Sequence, residues 1–133
     1  MKRLIVFSAL ALLMAFGVGL NTAAAAPPID MVGVWTGTAN EVTDTETTTS
    51  TMTLEILTQE DVRFAGTMKF DDGTAFNVNG VLDKMAIRIT GSVSVFEGAI
   101  LGMKGKKKIH GTGSKLEGAG STSATLIFNL MKE

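Results

Sequence analysis

The segment VRFAGTMKFDDGTAFNVNGVL, residues 62–82, gives the clearest indication of how this chain folds. On both sides of Asp71-Asp72-Gly73, apolar residues or glycine alternate with mostly polar ones. A period of two is typical of a strand with one buried and one solvated face, and an Asp-Gly turn between two such runs indicates an antiparallel hairpin. The segment therefore predicts two neighbouring strands joined by a tight turn.

The same alternation recurs along the chain, for example in TMTLEILT (51–58), in MAIRI (85–89), where Met85 is expected to point inward, and in ATLIFNL (124–130). The predicted strands are 31–39, 50–58, 61–70, 74–82, 85–91, 93–101, 106–112 and 121–131. Residues 115–118 fit either a ninth strand or a loop. Because the connections are short, we expect an all-β, antiparallel up-and-down meander of about eight strands, closed into a small barrel rather than folded into a sandwich.

The triplet apolar–any–glycine, followed by a small residue, occurs in WTGT (35–38), FAGT (64–67), VNGV (78–81), ITGS (89–92), FEGA (96–99), IHGT (109–112) and LEGA (116–119). In six of them the glycine shares the inward row of the apolar residue before it. An inward glycine lets a strand bend sharply and lets an aromatic ring lie against bare backbone. No helix is expected after any of them, so the triplets indicate curvature rather than phosphate binding.

The first 25 residues have the pattern of a secretory signal peptide: Lys2 and Arg3, an apolar run over 4–20, and small residues over 23–26. The apolar run is at the short limit for a membrane span, and a cleavage site follows it. Cleavage after Ala25 is expected, because cleavage after Ala26 would place Pro27 first. We therefore divide the chain into a signal peptide (1–25), an extended N-terminal arm (26–30) and one barrel domain (31–133), and predict a periplasmic or secreted protein without a membrane span in its mature form.

Composition excludes several classes of function. The chain has no cysteine and one histidine, His110, so thiol catalysis, disulfides and multi-histidine metal sites are not expected. Without Lys2 and Arg3, ten basic residues face thirteen acidic ones, which argues against nucleic-acid binding. Asp71-Asp72 fits a solvated turn better than a calcium site or an acid–base pair, since adjacent residues point apart. The sequence predicts no enzymatic activity, no catalytic or metal-binding residues and no cofactor.

Gly33-Val34-Trp35 at the start of an eight-stranded meander resembles the first strand of the calycin barrels, which include the lipocalins and avidins. The later strand segments FAGTMKF (64–70) and ATLIFNL (124–130) occur in the same order as similar strand segments of avidins. The resemblance implies an exported barrel that binds a small ligand. Biotin is not implied, because avidins hold it with several tryptophans and a tyrosine, and this chain has one Trp and no Tyr. Trp-x-Gly also opens the haem-binding nitrobindin-like barrels, but alternation around His110 points that residue outward.

The best candidate for a binding site is the apolar inner row, which could hold one small hydrophobic ligand in the interior or at an open mouth. Its predicted lining residues are Trp35, Met52, Leu54, Phe64, Met68, Phe76, Val78, Phe96 and Phe128. The row carries almost no polar group, so shape would determine recognition more than hydrogen bonds.

An alternative of a different class is a periplasmic protein-interaction module, such as a protease inhibitor that uses the arm 26–30, or an assembly component. Two further segments have two interpretations each. Residues 40–51, rich in threonine, fit a mobile lid or, as we favour, a long hairpin that continues two strands beyond the rim. Residues 104–108, KGKKK, fit a contact with an acidic partner or a solvated hairpin tip that blocks edge pairing.

Overall fold

The computed structural model of the chain describes residues 28–92, 94–103, 106–116 and 123–133. It contains eight antiparallel strands, each paired with its neighbours in sequence, and the last strand pairs with the first to close the barrel. The strands are β1 (Gly33–Val42), β2 (Thr47–Glu60), β3 (Arg63–Phe70), β4 (Ala75–Asp83), β5 (Ala86–Gly91), β6 (Ser94–Met103), β7 (Lys106–Leu116) and β8 (Ser123–Lys132). The predicted fold class, an all-β antiparallel meander closed into a barrel, is confirmed.

The threonine-rich segment 40–51 is a hairpin, as we favoured, and not a separate lid. β1 continues to Val42 and β2 begins at Thr47, with Val42 paired to Thr47 and Glu41 to Thr48. The turn between them is closed by the amide N–H of Thr43, which donates to the carbonyl oxygen of Glu46 at 2.9 Å. β-branched threonines fit an extended backbone, which explains why the strands run past the barrel body.

Two details of the predicted strands need correction. Met85 does not point inward: it is 50% exposed, because it lies with Lys84, whose φ is 56°, in the turn between β4 and β5, and β5 begins at Ala86. Lys115 and Leu116 do not start a ninth strand but extend β7. The rest of that candidate, 117–118, lies outside the described residues.

The middle of the barrel is filled by its own side chains. Every strand of the barrel except β4 contributes residues that are 0% exposed, and Val78 on β4 is 1% exposed. A residue that is 0% exposed has no space for a water molecule beside it. Near the centre, the rings of Phe96 and Phe128 meet edge to face, with 5.7 Å between their centroids. This core therefore has the close packing of an ordinary protein interior.

The inward glycines have two distinct roles, and both agree with the curvature interpretation. At Gly80 a Cβ would overlap the ring of Phe64 on β3, so the aromatic ring lies on bare backbone. At Gly98 a Cβ would instead lie 2.7 Å from the carbonyl oxygen of His110 on β7, so the absence of a side chain lets two strands approach closely. Close approach of backbone and ring is what a barrel of small radius requires.

One end of the barrel is closed by the segment that precedes β1. Met31 is fully buried, and its carbonyl oxygen accepts a hydrogen bond from Trp35 Nε1 at 2.8 Å. The side chain of Gln59 accepts from the amide of Met31 at 2.7 Å and donates to the carbonyl oxygen of Ile29 at 2.9 Å. Lys132 donates to the backbone oxygen of Asp30 at 3.2 Å. We call residues 29–32 the closing segment, because backbone and side chains together seal this end.

Candidate functional site

The opposite end of the barrel carries a different kind of inner surface. Alternation and strand pairing place one inward residue of each strand there, since each pairs with or lies two residues from a buried core position. We call this set the mouth ring: Glu41, Ser50, Phe70, Phe76, Gly91, Ser94, Lys115 and Ala124. Going around the barrel, the strands β6 to β2 supply a mostly polar arc, and β3 to β5 supply an apolar, aromatic arc.

Two hydroxyl groups in the polar arc are buried without a hydrogen-bond partner. Ser94 is 5% exposed, and neither its Oγ nor the buried Oγ of Ser50 has a donor or acceptor within reach. Leaving such a group unpaired costs about 1–3 kcal/mol, so native proteins rarely tolerate it without a water molecule or ligand nearby. The two hydroxyls therefore identify the mouth as a place where a polar group from outside would be stabilised.

The polar arc also contains a largely buried ion pair. Lys115 Nζ lies 3.9 Å from Glu41 Oε2, and the two side chains are only 11% and 16% exposed. The same ammonium lies 5.6 Å from the centroid of the Phe70 ring. The pair bridges β7 and β1 across β8, where the small side chain of Ala124 leaves room for it. The ammonium of Lys115 is thus stabilised inside the mouth by the carboxylate of Glu41 and by the face of the Phe70 ring.

The aromatic arc consists of Phe70 and Phe76, whose ring centroids are 6.2 Å apart with a tilt of 34°. Beside them, Gly91 leaves space for the Phe76 ring: a Cβ there would lie 2.6 Å from Phe76 Cε2 and 2.9 Å from Ser94 Oγ. The ring edge of Phe76 and the unpaired hydroxyl of Ser94 are therefore close neighbours. An apolar surface next to an unpaired hydroxyl suits a molecule that is polar on one side.

The mouth has an apolar floor one layer further in. The residues that form it are Ala39, Met52, Met68, Val78, Phe96 and Leu126, each at most 1% exposed. Because these side chains are in close contact, a ligand of the mouth would lie across the end of the barrel and not pass through it.

The rim around the mouth is acidic. The turn 43–46 carries Asp44 and Glu46, and the turn 71–74 carries Asp71 and Asp72. The side-chain and backbone hydrogen bonds from Thr74 hold the pKa of Asp72 below its ordinary value of 3.8, so this carboxylate stays ionised at any physiological pH. Asp71 accepts a hydrogen bond from the amide of Thr51 at 2.8 Å, which fixes it over the start of β2. As predicted, the two aspartates serve the turn and do not converge on one point.

The nine residues predicted from the sequence to line the interior all lie on its inner side. Eight are at most 4% exposed, and Phe76 is partly buried. Phe76 belongs to the mouth ring, and Met52, Met68, Val78 and Phe96 belong to its floor. Trp35, Leu54, Phe64 and Phe128 lie deeper. A role in ligand binding stays a prediction for each of them.

Sequence reasoning missed the polar members of the mouth ring. Glu41, Ser50, Ser94 and Lys115 each continue an inward row beyond its last large apolar residue. That is the signal by which they could have been found: a polar side chain in an otherwise apolar row, at a strand end that meets the same rim.

The remaining candidates are distributed elsewhere on the molecule. His110 lies on the outer wall, as predicted, with Nδ1 2.7 Å from Asn129 Oδ1. Among the described residues, no three histidine, cysteine or carboxylate side chains cluster in a way that could hold a metal ion, and no helix is long and apolar enough to cross a membrane. In the lysine run, Lys107 donates to the backbone oxygen of Asp30 at 3.4 Å, and 104–105 lie outside the described residues.

Grooves also occur on the outer wall. One has a volume of about 340 Å³ and is lined by Val81, Asp83, Ala86, Ile87, Arg88, Glu97 and Gly98. It is shallow, and the ion pair between Arg88 and Glu97 crosses its floor. Both partners of that pair are more than half exposed, so the groove offers no buried polar group to a ligand.

Comparison with known proteins gives structural likenesses but no match in sequence. Neither the family models nor the curated protein sequences contain a match to this chain. Among solved structures, apo shwanavidin is 15% identical, with a TM-score of 0.48 over 78% of this chain and 99% of that one. The zebrafish ileal bile acid-binding protein, solved with cholic acid, is 13% identical, with a TM-score of 0.41 over 77% of this chain and 98% of that one. At these values the likenesses concern barrel shape, which the strand order establishes independently.

Proposed function

We propose that the protein is an exported, non-enzymatic binding barrel that holds a small, partly apolar ligand in its mouth. The observation that carries the proposal is the hydroxyl of Ser94, which is buried and unpaired in the mouth ring next to the ring edge of Phe76. A buried hydroxyl without a partner is costly in a protein that only needs a stable core. A ligand that brings a hydrogen-bonding group removes that cost.

The position of the ligand follows from the packing. The centre of the barrel has no water-sized space beside its fully buried residues, so the ligand does not replace core side chains such as Trp35 or Phe128. Its apolar part contacts the Phe70–Phe76 pair and the floor residue Val78. Its polar part reaches Ser50 and Ser94. The deeper predicted lining residues, such as Leu54 and Phe64, belong to the packed core beneath the mouth and do not contact the ligand.

The mouth is a recognition site without catalytic groups. A serine acts as a nucleophile when a base lies within hydrogen-bond reach of its hydroxyl. Ser94 has no such neighbour, and His110 lies on the outer wall. The hydroxyl groups therefore bind and orient the ligand and leave its bonds intact.

The decisive experiment is to recover the ligand from protein purified from its own host under native conditions. Native mass spectrometry of the wild type should show a bound mass that disappears on denaturation. The double variant Ser94→Ala/Phe76→Ala should lose it, whereas the outer-wall variant Ser114→Ala should retain it. A wild type without any bound mass, together with mouth amide signals that no lipid or metabolite extract shifts, would remove the support for this function.

Export is part of the proposal and rests on the leader pattern of residues 1–25. The mature chain should begin at Ala26, which N-terminal sequencing of the protein from the periplasm or culture medium would detect. Retention of the unprocessed chain in the cytoplasm would contradict it.

The alternative of a protease inhibitor with a free N-terminal arm gains no support from the closed end. Ile29, Asp30 and Met31 are held against the barrel by Gln59 and Lys132. Through these contacts Ile29 and Asp30, the last residues of the predicted arm, help to close the barrel.

A further inference from the structure

We propose that the mouth selects ligands that carry a positive charge: a small organic cation with an apolar body. This inference rests on the proposed function, because it names the class of ligand for the same site. It follows from three observations: the charge balance of the mouth, the way the mouth already holds an ammonium group, and the neighbours of the unpaired serines.

The charge balance favours cations. The mouth ring and the two described turns beside it carry five carboxylates, Glu41, Asp44, Glu46, Asp71 and Asp72, and one ammonium group, Lys115. On the outer wall just below, Lys69 is paired with Glu55 at 3.5 Å, so that pair adds no net charge. Charges of one sign around an apolar surface concentrate ligands of the opposite sign and raise their association rate. Anionic ligands would meet repulsion from the same rim.

Lys115 shows how the mouth accommodates a cation. Its ammonium is held by the carboxylate of Glu41 and by the face of the Phe70 ring, at 3.9 and 5.6 Å. Both distances are typical of an ion pair and a cation–π contact. The mouth thus already provides an ammonium with a carboxylate and an aromatic ring.

A ligand cation would find a second, similar position beside the first. Phe76 is the other ring of the aromatic pair, and Ser94 Oγ, a hydrogen-bond acceptor without a donor, is its close neighbour. Ser94 lies directly across from Lys115 in the β6–β7 pairing, so the two cation positions are adjacent. Because Glu41 neutralises Lys115, the rim carboxylates remain to balance the ligand's charge. An anion would have only the neutral hydroxyls and an ammonium that Glu41 already engages.

The inference is tested with three probes that share an eight-carbon chain: octylammonium, octyl glucoside and octyl sulfate, each below its micellar concentration. Amide chemical shifts of the mature protein report where each probe binds and how tightly. We expect octylammonium, whose N–H groups can donate to Ser94 Oγ, to shift the amides of Phe76, Gly91 and Ser94 and to bind at least about 10-fold more tightly than octyl sulfate. A salt increase from about 20 to 500 mM should reduce that ratio several-fold, because exposed charges are screened within a few ångströms at high salt.

Two variants separate charge recognition from folding. Asp44→Asn/Glu46→Gln removes two exposed rim charges without touching the core and should lower the cation preference several-fold. Glu60→Gln, an exposed carboxylate at the closed end, is the matched control and should leave it unchanged. Glu41→Gln should weaken cation binding further. Comparison of its amide spectrum with that of the wild type shows whether the variant keeps the fold.

The outcomes distinguish this inference from the proposed function. If octyl glucoside binds at the mouth as tightly as the cation, or if octyl sulfate binds more tightly, the inference fails and the mouth remains a ligand site. If none of the probes shifts a mouth amide, both fail. If the cation shifts only rim amides of residues 43–46, the acidic turns attract it without a site, which also overturns the inference.

Discussion

Ser94 and Lys115 face each other across the β6–β7 pair on the inner side of the barrel, one with an unpaired hydroxyl and the other with a charge held by Glu41. The next inner residue on β6 after Ser94 is Phe96, which belongs to the packed core, whereas on β7 Gly113 and Gly111 lie between Lys115 and the core residue Ile109. On β6 the change from apolar to polar within two residues marks where the core ends and the mouth begins.

Ser94→Ala is expected to stabilise the ligand-free protein. Removing an unpaired buried hydroxyl removes its desolvation cost, so the free energy of unfolding should rise by about 1 kcal/mol. Urea titration measures this change. Affinity for the ligand of the mouth should fall several-fold in the same variant, so stability and binding change in opposite directions.

Ser114→Ala is the matched control, because Ser114 lies next to Lys115 on β7 but on the exposed outer face. Its free energy of unfolding should stay within about 0.5 kcal/mol of the wild type. A loss of stability in Ser94→Ala would show that the hydroxyl is satisfied in solution, for instance by a buried water, and would contradict the argument for the mouth.

Gly80→Ala should destabilise the barrel, because the new methyl group would overlap the ring of Phe64. Overpacking of this kind costs about 1–3 kcal/mol, measured by chemical or thermal denaturation. The double variant Gly80→Ala/Phe64→Leu should recover part of the loss relative to Phe64→Leu alone. Gly102→Ala is the control, since a Cβ there meets nothing within 4 Å. Equal losses in Gly80→Ala and Gly102→Ala would contradict the ring-on-backbone contact.

Gln59→Leu should loosen the closed end. The Gln59 side chain satisfies the amide of Met31 and the carbonyl of Ile29, so a leucine leaves both backbone groups without these bonds. We expect a loss of about 1–3 kcal/mol and faster amide hydrogen exchange at Met31. Glu60→Gln, next in sequence and exposed, should change neither quantity. Unchanged exchange at Met31 in Gln59→Leu would mean that the closing segment is held by packing alone.

Asp30→Asn should reduce stability at neutral pH and have a smaller effect in acid. The hydrogen bond from the amide of Val32, and then the charge of Lys132, hold the pKa of Asp30 below its ordinary value of 3.8. A depressed pKa in the folded state means that the carboxylate stabilises the fold above 3.8 and that this contribution is lost as the pH falls through the folded pKa. Urea midpoints at pH 7 and pH 3 test this, with Asp83→Asn as an exposed control. A difference from wild type that is larger at pH 3 would reverse the sign and exclude the mechanism.

Much of the fold was predictable because its determinants are local. Alternation fixes which side chains point inward, and short turns such as Asp71-Asp72-Gly73 leave only antiparallel pairing of neighbours. Met85 was assigned wrongly because it continues the alternation of Ile87 and Ile89, whereas the left-handed backbone at Lys84 ends the strand before it. A residue in a turn can fit a period of two by coincidence.

The mouth was not predictable to the same degree because it depends on register. Glu41 and Lys115 are far apart in sequence and meet only when β1 and β7 both pair with β8. Whether Ser94 finds a partner likewise depends on side chains from other strands. Period-two analysis assigns these residues to the inner face, and the up-and-down order places them at one end of the barrel, but neither shows which of them come into contact.

Closure of the barrel has a consequence for how the chain is made. The pairing of Trp35 with Lys132 spans nearly the whole domain, and it cannot form until β8 has been synthesised. Until then β1 presents an unpaired edge with free N–H and C=O groups, the kind of surface on which chains associate with one another. Loop-closure entropy adds to the delay, so this last pairing is expected to be slow compared with the hairpins. During synthesis, the glycine that opens β1 and the threonines that continue it therefore belong to an edge strand, although in the folded protein they lie in a closed sheet.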